Sequence, residues 1–308
     1  MNQENYTYIA IDIAKASLDV LVEGKRVKTA NTQAGYRQIL AIARDLETPL
    51  VVFEATGGYE RALMEYLGEQ SIPMAMVSPA RMRAFARSEG IKAKTDPIDT
   101  QMILRFAQEK KVAPMRIIEG KRRELSDLMD RRSHLSEQLK REKTRLQKAP
   151  QLIHSSIRRM IAYVEQELSL IEKQIEQLIA ADNTLNEEVN RVQSIKGIGK
   201  VNAWTLTAYL GEIRDLKRNQ LVALAGLAPF NRDSGKSIKN RFISGGRAKV
   251  RKALYMAATC AAVHNPVIKP YVNKLRERGK PYKCAIVAAM RKLLLHVQSL
   301  LKNLPVPA

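Results

Sequence analysis

The chain has 308 residues, 45% of them hydrophobic and 5% aromatic, and its 52 Lys and Arg against 31 Asp and Glu give a net charge of +21. That length accommodates two or three helix-leaning domains, and the charge suits a polyanion, either nucleic acid or an anionic membrane surface. No run approaches the ~18 apolar residues of a spanning helix, and the start MNQENYTYIAIDIAK lacks signal-peptide order, so a cytoplasmic protein without membrane association is expected. Two cysteines, Cys260 and Cys284, and four scattered histidines indicate neither a disulfide framework nor a zinc site.

Residues 6–13 (YTYIAIDI) and 17–22 are β-rich and predict a hairpin. A buried-type strand over 50–53 ends at Glu54, followed by Gly57-Gly58 and a helical stretch over 59–70. Another strand, 72–77, ends at Ser78-Pro79. This alternation predicts an α/β sheet domain, in which ligands gather beyond the carboxyl ends of strands, where Asp12 and Glu54 fall. In KTDPIDT, Thr95 is placed to cap a helix with Pro97 in its first turn, and Asp96 and Asp99 then lie on one helical face. An Asp at a strand end or helix start is ordinarily a turn former or N-cap. Taken together, four carboxylates in a strongly basic chain would repel one another unless a hard divalent cation, Mg²⁺ or Mn²⁺, sits among them. Two such ions roughly 4 Å apart would polarise a phosphodiester. The order of acids resembles the ribonuclease H and RuvC-like nuclease site.

From 121 to 192 glycine is nearly absent and heptad spacing prevails: Leu125, Leu128, Leu135 and Leu139 on one seam, Ile161, Val164, Leu168, Ile171 and Ile175 on a second, with Pro150 between. Arg132 and Asp182 interrupt the seams. The pattern predicts a coiled-coil helical hairpin serving as a spacer or dimerisation arm. Its cations, Arg122 and Arg132 among them, are either a solvated face or a nucleic-acid path.

SIKGIGK then breaks the helical pattern before a helix over 201–210. A Gly-x-Gly turn into a helix offers backbone N–H groups to a phosphate, which makes Lys196, Gly197, Gly199 and Lys200 candidate contacts; a plain interhelical turn with a packing glycine is the alternative. After LAGLAPF comes the polar loop NRDSGKS. Its Gly-Lys-Ser triplet is not a phosphate-binding P-loop, because Phe230 stands where that pattern needs glycine. Ser234, among Arg232, Lys236, Lys239, Arg241 and Arg247, would meet a phosphate in a positive field; Lys249 and Arg251 extend the basic set. Tyr255, a second candidate for covalent attack, sits in an alanine-rich helical pattern and is expected in the core.

IDIAK, EATGGY, KTDPIDT, SIKGIGK, LAGLAPF, DSGKS and GRAKVRKALYMAA, in this order over nearly the whole chain, resemble the DEDD transposases of the "IS one-ten" group of insertion sequences, to which Piv-type invertases belong. The resemblance implies a RuvC-like DEDD domain over 1–115, a coiled-coil hairpin over 116–192 and a mainly helical transposase domain over 193–308. It implies Mg²⁺ held by Asp12, Glu54, Asp96 and Asp99, and Ser234 as the nucleophile of a covalent phosphoserine. Ser237 and Ser244 are disfavoured by alignment alone, and Thr100 stands where alanine commonly follows the last aspartate. It further implies a bridge RNA that selects donor and target DNA, and a homodimer assembling to a homotetramer. The competing readings are a RuvC-like Mg²⁺-dependent endonuclease or junction resolvase using water, and a noncatalytic nucleic-acid scaffold.

Overall fold

A computed structural model describes residues 6–90, 96–115, 120–230 and 242–303, with the backbone alone for 96–98. It divides into two compact units, Met1–Ile117 and Ile118–Ala308.

The first unit is built on a mixed five-stranded sheet. Strands β1 (Thr7–Ile13), β2 (Ser17–Val22) and β3 (Lys25–Ala30) form an antiparallel meander. Strands β4 (Pro49–Glu54) and β5 (Met74–Val77) add in parallel on the other side of β1, giving the order β3-β2-β1-β4-β5. Parallel pairing requires crossovers, which are supplied by helices α1 (Gln33–Arg44) and α2 (Arg61–Glu69). Helices α3 (Pro79–Ser88) and α4 (Asp96–Glu109) follow β5. Alternation sorts the strand residues into two cores. Ile9, Ile11, Val51 and Phe53 pack with Ile39 and Leu63 on one face. Ala10, Leu50 and Val52 pack with Phe85, Ile103 and Phe106 on the other. Covered on both sides, β4 reads as the unbroken apolar run LVVF.

The hairpin read from the sequence gains a third strand. In β3, KRVKTA, every residue is exposed or half-exposed, and its lysines protect a sheet edge instead of marking a core, so no apolar alternation announces it. Helix α1 buries Tyr36, Ile39, Leu40 and Ala43, a helical spacing present in the sequence.

The second unit is helical. Helices α5 (Gly120–Leu146) and α6 (His154–Ala180) pair antiparallel, since Arg132 reaches Glu172 at 2.6 Å while Lys143 reaches Glu165 at 2.7 Å. Arg132 thus interrupts the apolar seam because it carries a cross-helix ion pair. Helix α7 (Asn183–Gln193) starts where Asp182 accepts the Leu185 N–H at 2.9 Å, so the expected continuous second helix is broken at its N-cap. Helices α8 (Lys200–Tyr209) and α9 (Arg218–Leu224), the two-residue strands β6 (Pro229–Phe230) and β7 (Phe242–Ile243), and helices α10 (Ala248–His264), α11 (Ile268–Glu277) and α12 (Tyr282–Lys302) complete it. Leu125 and Met129 at the base of the hairpin join Trp204, Leu254, Ala257 and Leu293 in one core. Toward the turn, by contrast, Leu152 and Tyr163 are exposed. Helix α12 is long and apolar enough to cross a membrane, but it buries Ile286, Leu293, Leu294 and Val297 in this core.

Two features lock the helical unit. Glu188, 6% exposed, binds Arg122 at 2.7 Å and Arg214 at 3.1 Å, and Arg122 also donates to the Thr207 carbonyl. Arg122 is therefore an internal tie. Gly197, at φ +109°, lets its turn approach α10 so closely that an added Cβ would lie 2.6 Å from that of Ala261. Gly197→Ala is expected to cost more than about 2 kcal/mol of unfolding free energy, against roughly 1 kcal/mol for Gly24→Ala, whose φ of +77° faces open space. Urea unfolding of the two variants checks this, and equal losses would contradict the packing account. Glu188→Gln should cost about 3 kcal/mol in the same assay, because it weakens one partner of a buried charge network.

Candidate functional site

The last paired residues of the β1–β4 ladder are Ile11 and Phe53. Asp12 and Glu54 each stand one residue further, at adjacent strand ends. Ile11 and Phe53 face one core, so alternation turns Asp12 and Glu54 to the opposite face, the side of Ala10 and Val52. That face is covered by α4. The Tyr8 hydroxyl donates to the Val112 carbonyl at 3.2 Å, which ties the segment just after α4 to the start of β1. Asp99 lies in the first turn of α4, at the end of the helix away from Tyr8. Thr100 beside it is buried. Asp96 opens α4, but its side chain, with Thr95 before it, lies outside the described residues. Among the described residues no three His, Cys, Asp or Glu converge closely enough to hold a metal ion. The three described carboxylates offer only hard oxygen donors, chemistry that fits Mg²⁺ or Mn²⁺ and not a soft metal.

Two acids at this end escaped the sequence reading. Asp19 on β2 pairs directly with Asp12 across the antiparallel ladder and is met by Lys28 on β3 at 3.2 Å. The period-two parity of SLDVLV within the hairpin was the available signal. Glu60, 7% exposed, closes the loop after β4: it accepts from the N–H groups of Thr56 at 3.3 Å and Gly58 at 3.0 Å, and from the Thr56 hydroxyl. Burial works to raise its carboxyl, but these bonds outweigh it and hold the group below the ordinary glutamate range. Gly57 and Gly58, at φ +85° and +144°, permit the turn.

In the helical unit the candidate phosphate contacts are largely engaged within the chain. The Lys196 carbonyl accepts from the Asn265 amide at 2.7 Å, and Gly197 is pressed against Ala261, as a packing turn requires. Gly199 caps α8 in extended conformation, with open space where a side chain would be. Lys200 pairs with Glu176 and lies 5.0 Å from the Trp204 ring centre. Arg247 binds Glu212 through both terminal nitrogens, at 2.9 and 2.5 Å. Lys249 bonds to Asp130 beside the Tyr209 ring, and Arg251 donates to the Gly245 carbonyl. Burial, reinforced by Asp130, pushes the Tyr209 hydroxyl pKa far up, so it stays a proton donor. Ser234, Ser237, Arg232, Lys236, Lys239 and Arg241 lie outside the described residues.

The described flanks of that loop are well defined. Pro229 pairs with Ile243 and Phe230 with Phe242, whose ring centres are 6.1 Å apart. Below this pair the Arg247 N–H donates to the Leu224 carbonyl at 2.7 Å, and Gly226 and Gly246 approach so closely that a Cβ on Gly246 would stand 2.3 Å from the Gly226 nitrogen. Ser244 is exposed on the outgoing strand side. Tyr255, expected in the core, is instead 39% exposed, because Ala253, Leu254, Ala257 and Ala258 form the buried stripe of α10.

Comparison with known proteins places both units. A family model described as "Transposase", for the DEDD enzymes of IS110, matches residues 9–154, and one described as "Transposase IS116/IS110/IS902 family" matches 189–273. The chain is 29% identical to the pilin gene-inverting protein of Moraxella bovis, over 94% of this chain and 93% of that protein. It is 25% identical to the transposase for insertion sequence element IS1111A of Coxiella burnetii, over 90% and 91% of the two chains. The chain belongs to the IS110 family of transposases.

Proposed function

We propose that this chain is an insertion-sequence recombinase that cleaves and rejoins DNA through a Mg²⁺-assisted phosphoserine intermediate, with donor and target DNA selected by a bridge RNA. The observation that carries the reading is the placement of Asp12 and Glu54 at adjacent strand ends, with alternation turning both to the face on which α4, the helix opened by Asp96 and Asp99, packs. Acid after the first strand, acid after the fourth and acids opening a helix on the same face support a RuvC-like centre. Asp12, Glu54, Asp96 and Asp99 would hold the cation, which when bound stabilises charge developing on a phosphate.

Ser234 is assigned the attack. Its oxygen bonds to phosphorus as the bond from phosphorus to a deoxyribose oxygen breaks, and that oxygen leaves as a hydroxyl once protonated. A deoxyribose hydroxyl of the partner strand then attacks the phosphoserine and restores the serine. The phosphodiester energy is kept in the protein linkage, so rejoining needs no nucleotide cofactor. The relative from Moraxella bovis is named for inverting a gene, an outcome that requires rejoining as well as cutting. The antiparallel Phe230–Phe242 pair brings the ends of the serine loop together, and Arg247, fixed on Glu212, anchors its stem.

Guide pairing would read sequence while the basic surface holds backbones. Assembly as a homodimer and then a homotetramer is supported by the outward apolar residues Met160, Tyr163 and Leu170 on α6, which a second copy would cover.

Ser234→Ala should abolish the covalent protein–DNA adduct and lower recombination at least about 10³-fold. Asp12→Asn and Glu54→Gln should lose cleavage while retaining DNA binding. Denaturing gels on labelled donor and target DNA read both, and cleavage without an adduct in Ser234→Ala would establish a water-dependent nuclease instead. Affinity for DNA lacking the target site should fall on the order of 10³-fold between 50 and 200 mM salt if six or more phosphates are neutralised. A flat titration would contradict electrostatic backbone binding.

A further inference from the structure

The β1–β4 ladder stops at Ile11 and Phe53, so its pairing does not extend to the two chains leaving Asp12 and Glu54. One side chain spans that gap. Asn31, just after β3, donates from Nδ2 to the Ala14 carbonyl at 3.0 Å, in the turn two residues past Asp12. The same nitrogen donates to the Tyr59 carbonyl at 3.2 Å, in the loop after Glu54. Its own backbone N–H donates to the Ala16 carbonyl at 3.0 Å, which seats the residue against the β1–β2 turn.

The orientation of the carboxamide follows from its partners. A carbonyl oxygen only accepts, so the NH₂ group with its two hydrogens must face Ala14 and Tyr59, one hydrogen to each. The Tyr36 hydroxyl donates to Oδ1 at 2.6 Å, and Tyr36 is only 5% exposed, held in the core beside Tyr66 with ring centres 5.8 Å apart. The buried tyrosine therefore aims the amide. Glu60 gathers Thr56 and Gly58, so the loop reached through the Tyr59 carbonyl is itself tied together.

We propose that Asn31 is a positioning residue that fixes the Asp12 and Glu54 strand ends relative to each other beyond the last rung of the ladder, with Tyr36 setting its orientation. This rests on the reading of Asp12 and Glu54 as cation ligands. Groups one shell out from a metal commonly govern affinity because ligands held at the right spacing need no reorganisation on binding.

The test uses the full chain with Mn²⁺ as probe, in Asn31→Leu, which keeps shape and removes the amide, and in Tyr36→Phe, which removes only the orienting hydroxyl. Calorimetric Mn²⁺ affinity should fall about tenfold in Asn31→Leu and by less in Tyr36→Phe, with unfolding temperatures close to wild type. Amide hydrogen exchange over residues 13–17 and 55–61 in metal-free protein should speed up in both, whereas Asp12→Asn should lose Mn²⁺ without that change in exchange. Wild-type affinity and wild-type exchange in both variants would overturn the inference alone. A wild-type protein that takes up no Mn²⁺ would overturn the cation-site reading and this inference with it.

Discussion

Everything at the N-terminal site follows from one register. Pairing Ile11 with Phe53 in parallel sets the Asp12 and Glu54 backbones side by side, one strand spacing apart at about 4.8 Å, and turns both carboxylates to the same face. Asp19 adds a third acid directly opposite Asp12. Like charges at such spacing destabilise a sheet, and Lys28 on β3 is paired with Asp19. The rungs behind the acids, Ile9, Ala10 and Ile11 against Val51, Val52 and Phe53, are fully buried and hold the register against that repulsion. Acids gathered on one face and held there by well-packed strands are what the proposed cation site requires.

Much of this was legible in the sequence, for identifiable reasons. The strands carrying Asp12 and Glu54 announce themselves as apolar runs ended by an acid, and Asp99 by its place in a helix-opening motif. The partnership among them depends on topology: only the sheet order puts β4 beside β1, and only the packing with Ala10 and Val52 shows that α4 covers the face to which the acids turn. Asn31 and Glu60 were not legible because each acts through backbone groups, and a carbonyl leaves no trace in side-chain pattern. β3 was missed because an edge strand is recognised by the sheet it completes.

In the helical unit the sequence indicated where cations are dense but not which of them are already engaged. Arg122, Arg132, Arg247 and Lys249 all meet an acid within the unit. Their role is to fix α5, α8 and α10 and the stem of the serine loop, and Gly197, Gly226 and Gly246 serve the same end by letting backbones cross closely. The net charge of +21 remains the long-range attraction for polyanions, while the paired cations supply rigidity.

The central claim is that the ends of β1 and β4 hold the divalent cation. Replacing Mg²⁺ with Fe²⁺ and adding ascorbate generates hydroxyl radicals at the metal, which cut the nearby backbone. Cuts are expected close to residues 12 and 54 and at the start of α4, suppressed by excess Mg²⁺ and lost in Asp12→Asn. Cuts confined to other segments, or unchanged by that substitution, would contradict it.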